Sequence, residues 1–215
     1  MPKKPSPKRQ LFELFARVAR AFANASRLEL LEALAQGERS VEELARATAI
    51  TIANVSHHLQ ILRDSGLVTS RRNGVQVIYS LADDEIPTVI AGIRRIGERH
   101  LAEIERLVQK YFQSHDSLEP VDHKELLGMV HRGEVVVLDV RPRNEYDAGH
   151  IPGAINIPVS ELPKRLAELS RDQKVVAYCR GPYCMLAYEA VEELRKRGYH
   201  ARRLQEGYPE WKISK

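Results

Sequence analysis

The two cysteines of the chain, Cys179 and Cys184, lie in one short segment and are the residues best suited to covalent chemistry. An apolar run over residues 175–178 precedes the segment and reads as a short buried strand, and a helical stretch over residues 186–197 follows it. A thiol between a strand end and a helix start lies among unpaired backbone N–H groups, near the positive end of the helix dipole. Because this environment favours the reactive thiolate, the segment predicts sulfur or oxyanion chemistry.

Cys184 has two interpretations at the level of sequence. As a resolving thiol it would attack a persulfide or sulfenic acid on Cys179, expel the leaving group and form a disulfide. As a small buried hydrophobe it would only pack, which is a common role of free cysteine. A cysteine phosphatase or arsenate reductase would place arginine six residues after Cys179 to clamp an oxyanion, but that residue is Met185. We therefore do not expect either of those two activities.

Charged residues follow a second apolar run, over residues 135–138, which also indicates a buried strand. These are Asp139, Arg141 and Glu145. We expect them to brace the loops by ion pairing rather than to take part in catalysis.

The composition is that of an ordinary globular protein, with 43% hydrophobic and 29% charged residues in a chain of 215. No apolar run could span a bilayer, and the basic residues 1–9 lack the apolar core of a secretory signal. We therefore expect no membrane partner and, with two cysteines and no disulfide framework, a cytoplasmic location. Residues 1–115 hold 17 Lys and Arg against 13 Asp and Glu, and the remainder holds 16 of each. The excess positive charge thus lies where a phosphate backbone could bind.

A polar stretch ending in Pro120 separates two parts of different pattern. The first part is helical apart from one hairpin, whereas short β-rich and helical runs alternate in the second, which indicates an α/β domain. We expect a disordered basic arm over residues 1–9, a DNA-binding and dimerisation domain over 10–112, a linker over 113–120 and the α/β domain over 121–215.

Capping signals divide the first part into helices over residues 10–23, 26–35, 40–48 and 51–64. Ser26 with Glu29 and Ser40 with Glu43 match the capping box, and Thr51 is the expected cap of the fourth helix.

A hairpin and a long helix complete the first part. Asn73-Gly74 is the strongest short hairpin signal and separates expected strands over residues 67–72 and 75–81. A single helix is expected over residues 84–111, which is longer than a small domain needs. Burial of its apolar stripe predicts a homodimer interface.

Helix, tight turn, helix and β-hairpin is the order of a mainly α winged helix-turn-helix domain, and its polar side chains predict a reader of double-stranded DNA. In the fourth helix, the residues expected in the core are Ile52, Val55, Leu59 and Leu62. Those expected to face base edges in the major groove are Asn54, Ser56, His57, His58 and Gln60. At the hairpin tip, those expected to bind phosphate or a minor groove are Arg71, Arg72 and Asn73. Taken singly, each residue also fits an exposed helical face or turn; together they favour DNA binding.

The first part resembles the ArsR/SmtB family of dimeric bacterial repressors over residues 10–110. The similarity lies in Asn24-Ala25-Ser26-Arg27-Leu28, in residues 55–68 and in the wing over residues 77–81. It implies a homodimer formed through residues 84–111 and 10–23. Many members sense metals, but the third helix here lacks cysteine and His100 has no second histidine nearby. We therefore expect no metal site in this domain.

The second part resembles a single rhodanese domain over residues 118–215. The similarity lies in residues 149–158, in the Cys179 loop and in residues 207–211. It implies an α/β fold with a parallel central sheet, in which Cys179 carries a sulfane sulfur as a persulfide. Residues of the loop that would contact an anionic sulfur donor are Arg180, Gly181, Tyr183 and Met185. No cofactor is required, because inward-pointing backbone N–H groups can stabilise the charge on the outer sulfur.

The loop departs from the usual rhodanese pattern in three respects. Gly181 comes two rather than three residues after the cysteine, and Pro182, which takes the third place, has no N–H to donate. No second basic residue is present to hold a dianion such as thiosulfate, and Cys184 lies where backbone donors are expected. These changes argue against rapid thiosulfate turnover.

The sequence thus favours a transcriptional repressor whose second domain senses reactive sulfur, or another oxidant, through Cys179. The alternative is a sulfurtransferase that uses the first domain for dimerisation and attachment to DNA. A third interpretation is a constitutive DNA-binding protein with an inert appended domain.

Overall fold

The computed structural model describes residues 6–113 and 119–213. Residues 1–5 of the predicted arm and most of the linker predicted over residues 113–120 lie outside the described residues. The chain divides into two compact units, Met1–Ile90 and Ala91–Lys215. No described helix is long and apolar enough to cross a membrane.

The first unit is mainly helical, as predicted. Its elements are α1 (Pro7–Phe22), α2 (Ala25–Leu34), β1 (Arg39–Ser40), α3 (Val41–Thr48), α4 (Ile52–Asp64), β2 (Val68–Asn73) and β3 (Gln76–Leu81). The three strands form an antiparallel sheet in the order β1-β3-β2. Helices α2, α3 and α4 contribute the fully buried Leu30, Leu44 and Leu59 to one core. This arrangement confirms the winged helix-turn-helix fold.

Two predicted helix starts are confirmed in atomic detail. The Ser40 hydroxyl accepts a hydrogen bond from the Glu43 amide, and the Glu43 carboxylate accepts one from the Ser40 amide at 2.7 Å, which completes the capping box. The Thr51 hydroxyl accepts from the Asn54 amide at the start of α4. These caps orient the two helices on either side of the tight turn.

Two other helices begin earlier than predicted. Ser26 is not the cap of α2, because the Asn24 side chain accepts from the Arg27 amide at 3.1 Å and the helix begins at Ala25. Helix α1 begins at Pro7, since Ser6 caps it and proline is well suited to the first helical position. Residues 7–9 of the predicted arm are therefore helical.

The hairpin turn lies one residue later than predicted. Asn73 pairs with Gln76 across the strands, so the connecting residues are Gly74 and Val75 rather than Asn73-Gly74. Gly74 has a φ of +60°, and glycine at the first connecting position is typical of a type II′ hairpin turn.

The single helix predicted over residues 84–111 is wrong, because the chain breaks at Leu101. The elements are α5 (Ile86–His100), α6 (Ala102–Val108) and a π-helical turn (Gln109–Gln113). Leu101 has an extended backbone, and the Ile104 side chain folds back against α5 at Gly97. A methyl group on Gly97 would lie 2.8 Å from the Ile104 Cδ1 atom, so a larger residue at position 97 would require the Ile104 side chain to shift.

The second unit contains the predicted parallel sheet. The unit begins within α5, at Ala91, and continues with α6 and the π-helical turn. Its remaining elements are α7 (His123–His131), β4 (Val135–Asp139), α8 (Arg143–Ala148), β5 (Ile155–Asn156), α9 (Leu162–Arg165), a 3-10 turn (Leu166–Glu168), β6 (Lys174–Tyr178), α10 (Met185–Lys196), β7 (Ala201–Arg203) and α11 (Tyr208–Ile213). All strands pair in parallel in the order β5-β4-β6-β7. The predicted α/β fold with a parallel central sheet is thereby confirmed.

Side chains along β6 alternate between two cores, one on each face of the sheet. Val175, Ala177 and Cys179 belong to the core that includes α10, whereas Val176 and Tyr178 belong to the opposite core. This period of two is the normal geometry of a strand buried on both faces. It places the Cys179 side chain on the face of the sheet that α10 covers.

We predict that Asn24→Ala lowers the free energy of unfolding by about 1 kcal/mol, because α2 loses the side chain that caps it. Ser26→Ala is the matched control and should cause no comparable loss. Urea unfolding followed by circular dichroism measures both variants. Equal losses, or a larger loss for Ser26→Ala, would contradict the assignment of Asn24 as the cap.

Candidate functional site

The two cysteines close a small ring at the carboxyl end of β6. Cys179 and Cys184 are joined in a disulfide, and their Cα atoms lie 6.2 Å apart. Cys179 is 1% exposed, and the partly buried Cys184 packs on the same core from the cap position of α10. The Cys184 amide also donates to the Gly181 carbonyl at 3.1 Å. The ring is thus anchored to the end of a strand and to the start of a helix.

The segment between β7 and α11 packs against the backbone of this ring. Gly207 lies directly against the backbone of Arg180 and Gly181, and a methyl group at position 207 would overlap both. The Tyr208 amide donates to the Cys179 carbonyl at 3.1 Å. Glycine is therefore required at position 207 for the chain to reach the cysteine loop.

Arg180 is held by an ion pair with a buried carboxylate. Its Nη2 and Nε atoms lie 2.7 Å from Oε1 and 2.9 Å from Oε2 of Glu145, whose side chain is 1% exposed. The sequence predicts Arg180 at the rim as a contact for an anionic donor. With its charge compensated by Glu145, the guanidinium attracts such an anion less than an unpaired one would.

Asp139 and Arg141 form a second, fully buried ion pair. Arg141 Nη2 lies 2.6 Å from Asp139 Oδ2 and also donates to the Gly149 carbonyl at 2.8 Å. The guanidinium stacks 4.8 Å from the centre of the Tyr208 ring. These contacts link the end of β4 to Gly149 and to the segment that supports the cysteine ring.

Tyr183 directly precedes Cys184 and contacts two elements of the same unit. Its hydroxyl donates to the Glu98 carboxylate on α5, and its ring centre lies 5.3 Å from that of Phe112. Burial, with the Glu98 carboxylate, raises the pKa of Tyr183, so the hydroxyl remains a donor at neutral pH. Gly181 is buried, and Met185, the first residue of α10, is half-buried.

The apolar face predicted for α4 is confirmed except at its first residue. Val55, Leu59 and Leu62 are fully buried in the core of the first unit. Ile52 is 54% exposed, because the first turn of α4 extends beyond that core. The prediction that Ile52 lies in the core is therefore wrong.

Four of the five polar residues predicted to face DNA are exposed on α4: Asn54, Ser56, His57 and Gln60. His58 is half-buried, and its Nδ1 atom has no hydrogen-bond partner among the described residues. Burial is the main cause that lowers the pKa of His58, and the nearby Arg27 and His57 add to it. His58 is therefore mainly neutral at neutral pH and faces the domain more than its neighbours do.

The hairpin exposes all three residues predicted to bind phosphate or a minor groove. Arg71 forms a surface ion pair with Glu38, whereas Arg72 makes no ion pair within the described part of the chain. Asn73 is exposed at the end of β2. Arg72 is thus the hairpin cation whose charge is most available to a phosphate.

Both units match known families. Residues 24–70 match the bacterial regulatory proteins of the arsR family, and residues 122–214 match the rhodanese-like domain. The HTH-type transcriptional regulator Rv0324 of Mycobacterium tuberculosis is 42% identical over 207 residues, which cover 96% of this chain and 91% of that protein.

Solved structures resemble each unit separately. The homodimeric winged helix-turn-helix DNA-binding domain of Mb0332 from Mycobacterium bovis is 38% identical and covers 47% of this chain and 94% of that one, with a TM-score of 0.42. The human single-domain sulfurtransferase TSTD1 is 31% identical and covers 46% of this chain and 98% of that one, with a TM-score of 0.41.

We predict that Asp139→Asn lowers the free energy of unfolding of the second unit by about 3–5 kcal/mol, because it removes the carboxylate that pairs directly with the buried Arg141 guanidinium. The exposed pair Arg132–Glu134 has the same two-residue separation, so Glu134→Gln is the matched control and should change little. Trp211, the single tryptophan, is buried in this unit, and its fluorescence during urea unfolding measures both variants. A small effect of Asp139→Asn would show that the pair does not stabilise the unit.

Proposed function

Because the chain belongs to the ArsR family of HTH-type transcriptional regulators and carries a rhodanese-like domain, we propose that it is a repressor that senses reactive sulfur at Cys179. One observation carries the sensing proposal. Cys184 lies within bonding distance of Cys179 across a single loop, so a modified Cys179 has a resolving thiol beside it.

The first unit offers the groups needed to read double-stranded DNA. Asn54, Ser56, His57 and Gln60 place donors and acceptors along the exposed face of α4, which enters the major groove in this proposal. The exposed Ile52 is suited to contact with a thymine methyl group. Arg72 supplies a phosphate contact from the hairpin.

A homodimer would cover apolar side chains that the single chain leaves exposed. Leu11, Phe12 and Phe15 on α1 are each more than half exposed, and Ile93 and Ile96 on α5 are 45% and 57% exposed. Large apolar residues clustered on helices in this way favour burial against a second copy. Two copies related by a twofold axis would place their α4 helices on the two halves of a palindromic operator.

The sulfur chemistry follows from the two thiols. The Cys179 thiolate attacks a terminal sulfur of a polysulfide, one S–S bond of the polysulfide breaks, and the shorter polysulfide leaves, so that Cys179 becomes a persulfide. The Cys184 thiolate then attacks the Cys179 sulfur and expels hydrosulfide. The two cysteines lose two electrons in total to the sulfane sulfur, and the product is the Cys179–Cys184 disulfide.

Three features of the loop favour a sensor over a sulfurtransferase. The Arg180 charge is compensated by Glu145, which weakens attraction for an anionic donor. Pro182 has no amide to donate to a bound anion. Cys184 would capture the persulfide before an external acceptor could take it. The sulfurtransferase alternative therefore requires a persulfide that survives next to Cys184.

We predict that Asn54→Ala weakens operator binding about fivefold or more, because a bidentate asparagine–adenine contact contributes about 1–3 kcal/mol. Asn144→Ala, an exposed asparagine on α8, is the matched control and should bind normally. The probe is a duplex selected from a random-sequence library by the reduced protein, and fluorescence anisotropy at fixed salt measures the affinity. An unchanged affinity for Asn54→Ala would remove this residue from the base-reading set.

We predict that polysulfide converts the wild-type chain to the disulfide and changes its operator affinity several-fold. Cys184→Ser should stop at the Cys179 persulfide, and Cys179→Ser should form neither product. Intact-mass spectrometry identifies each product, and anisotropy on the same samples measures the affinity. Unchanged wild-type affinity in samples that are fully modified would refute the sensor, and rapid sulfur transfer from thiosulfate to cyanide would support the enzyme instead.

A further inference from the structure

Helix α5 presents two charged side chains, one turn apart, to the surroundings of the cysteine ring. Glu98 accepts the hydrogen bond of the Tyr183 hydroxyl. Arg94 forms an ion pair with Glu210 of α11, in which Nη1 lies 2.7 Å from Oε1. All of these residues belong to the second unit. Neither contact has a part in the sulfur chemistry described above.

The Glu98 contact reaches the ring beside Cys184. Tyr183 is bonded to Cys184 through one peptide bond, and its ring is also packed 5.3 Å from Phe112. The Tyr183 side chain is half-buried. A change in the backbone at Cys184 therefore moves the donor of the Glu98 hydrogen bond.

The Arg94 contact reaches the ring at its other end, through Glu210. The second carboxylate oxygen of Glu210 accepts a hydrogen bond from the Gly207 amide at 3.0 Å. Gly207 in turn lies directly against the backbone of Arg180 and Gly181. Arg94 is thus connected to the ring by one ion pair, one hydrogen bond and one close backbone contact.

We propose that the order of α5 depends on the covalent state of the cysteine ring through these two contacts. The inference rests on the proposed thiol chemistry, and it adds the route by which that chemistry changes a helix. With the disulfide closed, residues 180–183 are held at both ends, and Tyr183 and Gly181 keep the positions that engage Glu98 and Gly207. A dithiol reductant opens the ring by exchange: it becomes a disulfide itself and leaves two thiols on the chain.

Opening the ring weakens both contacts, because residues 180–183 gain backbone freedom at the Cys184 end. Helix α5 then loses a hydrogen bond at Glu98 and a fixed partner for Arg94, and its backbone opens more often. Ile93 and Ile96, the exposed apolar residues of the proposed dimer face, lie on the same turns. The ring state therefore changes the order of the surface that pairs with a second copy.

Hydrogen exchange of the full-length protein without DNA tests this route directly. Diamide forms the disulfide and dithiothreitol opens it, so the test does not depend on polysulfide chemistry. We expect peptides covering residues 91–100 to exchange several-fold more slowly in the disulfide form of the wild type. Tyr183→Phe keeps the aromatic ring packed against Phe112 and removes only the hydroxyl. In this variant the difference in exchange between the disulfide and dithiol forms should fall by at least half.

The matched control is Tyr199→Phe, whose hydroxyl donates to the Leu166 carbonyl at 2.8 Å in the same unit. This variant should keep the full wild-type difference in α5 hydrogen exchange between the disulfide and dithiol forms. Glu98→Ala removes the acceptor from the other side, together with the 3.7 Å ion pair between Arg94 and Glu98, so the difference in α5 exchange should fall at least as far as in Tyr183→Phe. Mass spectrometry on every sample confirms that the disulfide has formed to the same extent.

Two outcomes would overturn the route: equal α5 exchange in both states of the wild type, or a wild-type difference retained in Tyr183→Phe. A Tyr183-dependent difference in exchange supports it whatever polysulfide does to operator affinity. If operator affinity does not change with polysulfide while the Tyr183-dependent difference in exchange is present, the sensor proposal fails and the route stands. If the affinity responds while α5 exchange does not, the route fails and the sensor proposal stands.

Discussion

The alternation of side chains along β6 is the constraint on which the cysteine ring depends. Because successive residues of a strand point to opposite faces, Cys179 shares its face with Val175 and Ala177. In a parallel sheet the chain must cross over before the next strand, and the crossover helix α10 packs on that same face. The start of α10 therefore brings Cys184 against Cys179 through local connectivity. A shift of β6 by one residue would place Cys179 in the opposite core, away from Cys184.

Compensation of buried charge determines what the ring can attract. Arg141 and Asp139 neutralise each other within the fold, and Glu145 neutralises Arg180 beside the first cysteine. A buried carboxylate such as that of Glu145 is stable only with such a partner, so Arg180 is committed to the fold. The thiols thus lie in surroundings with little excess positive charge. This suits a pair that responds to its own oxidation better than a site that collects anionic donors.

Local signals in the sequence were sufficient for the fold classes, for the caps at Ser40 and Thr51, and for the strand that directly precedes Cys179. The incorrect or missing predictions concern features that depend on a residue distant in sequence or on a choice between two nearby residues. Both Asn24 and Ser26 can cap α2, and the sequence pattern does not distinguish them; in the structure the cap is Asn24. The helix predicted over residues 84–111 breaks at Leu101 although its apolar pattern is continuous. The partner of Arg180 lies 35 residues earlier, and no spacing rule connects them.

The two contacts of α5 reach opposite ends of the ring, so in the proposed route the disulfide, rather than the persulfide, is the state to which they would respond. A persulfide changes Cys179 alone and leaves Cys184 and the adjoining Tyr183 unconstrained. The disulfide fixes both ends at once, so the hydrogen bond to Glu98 and the Gly207 support of the loop are held together. In this scheme the second thiol converts a transient sulfur adduct into a lasting mechanical constraint. The chain would then respond to completed oxidation of the pair, and a dithiol reductant would reset it.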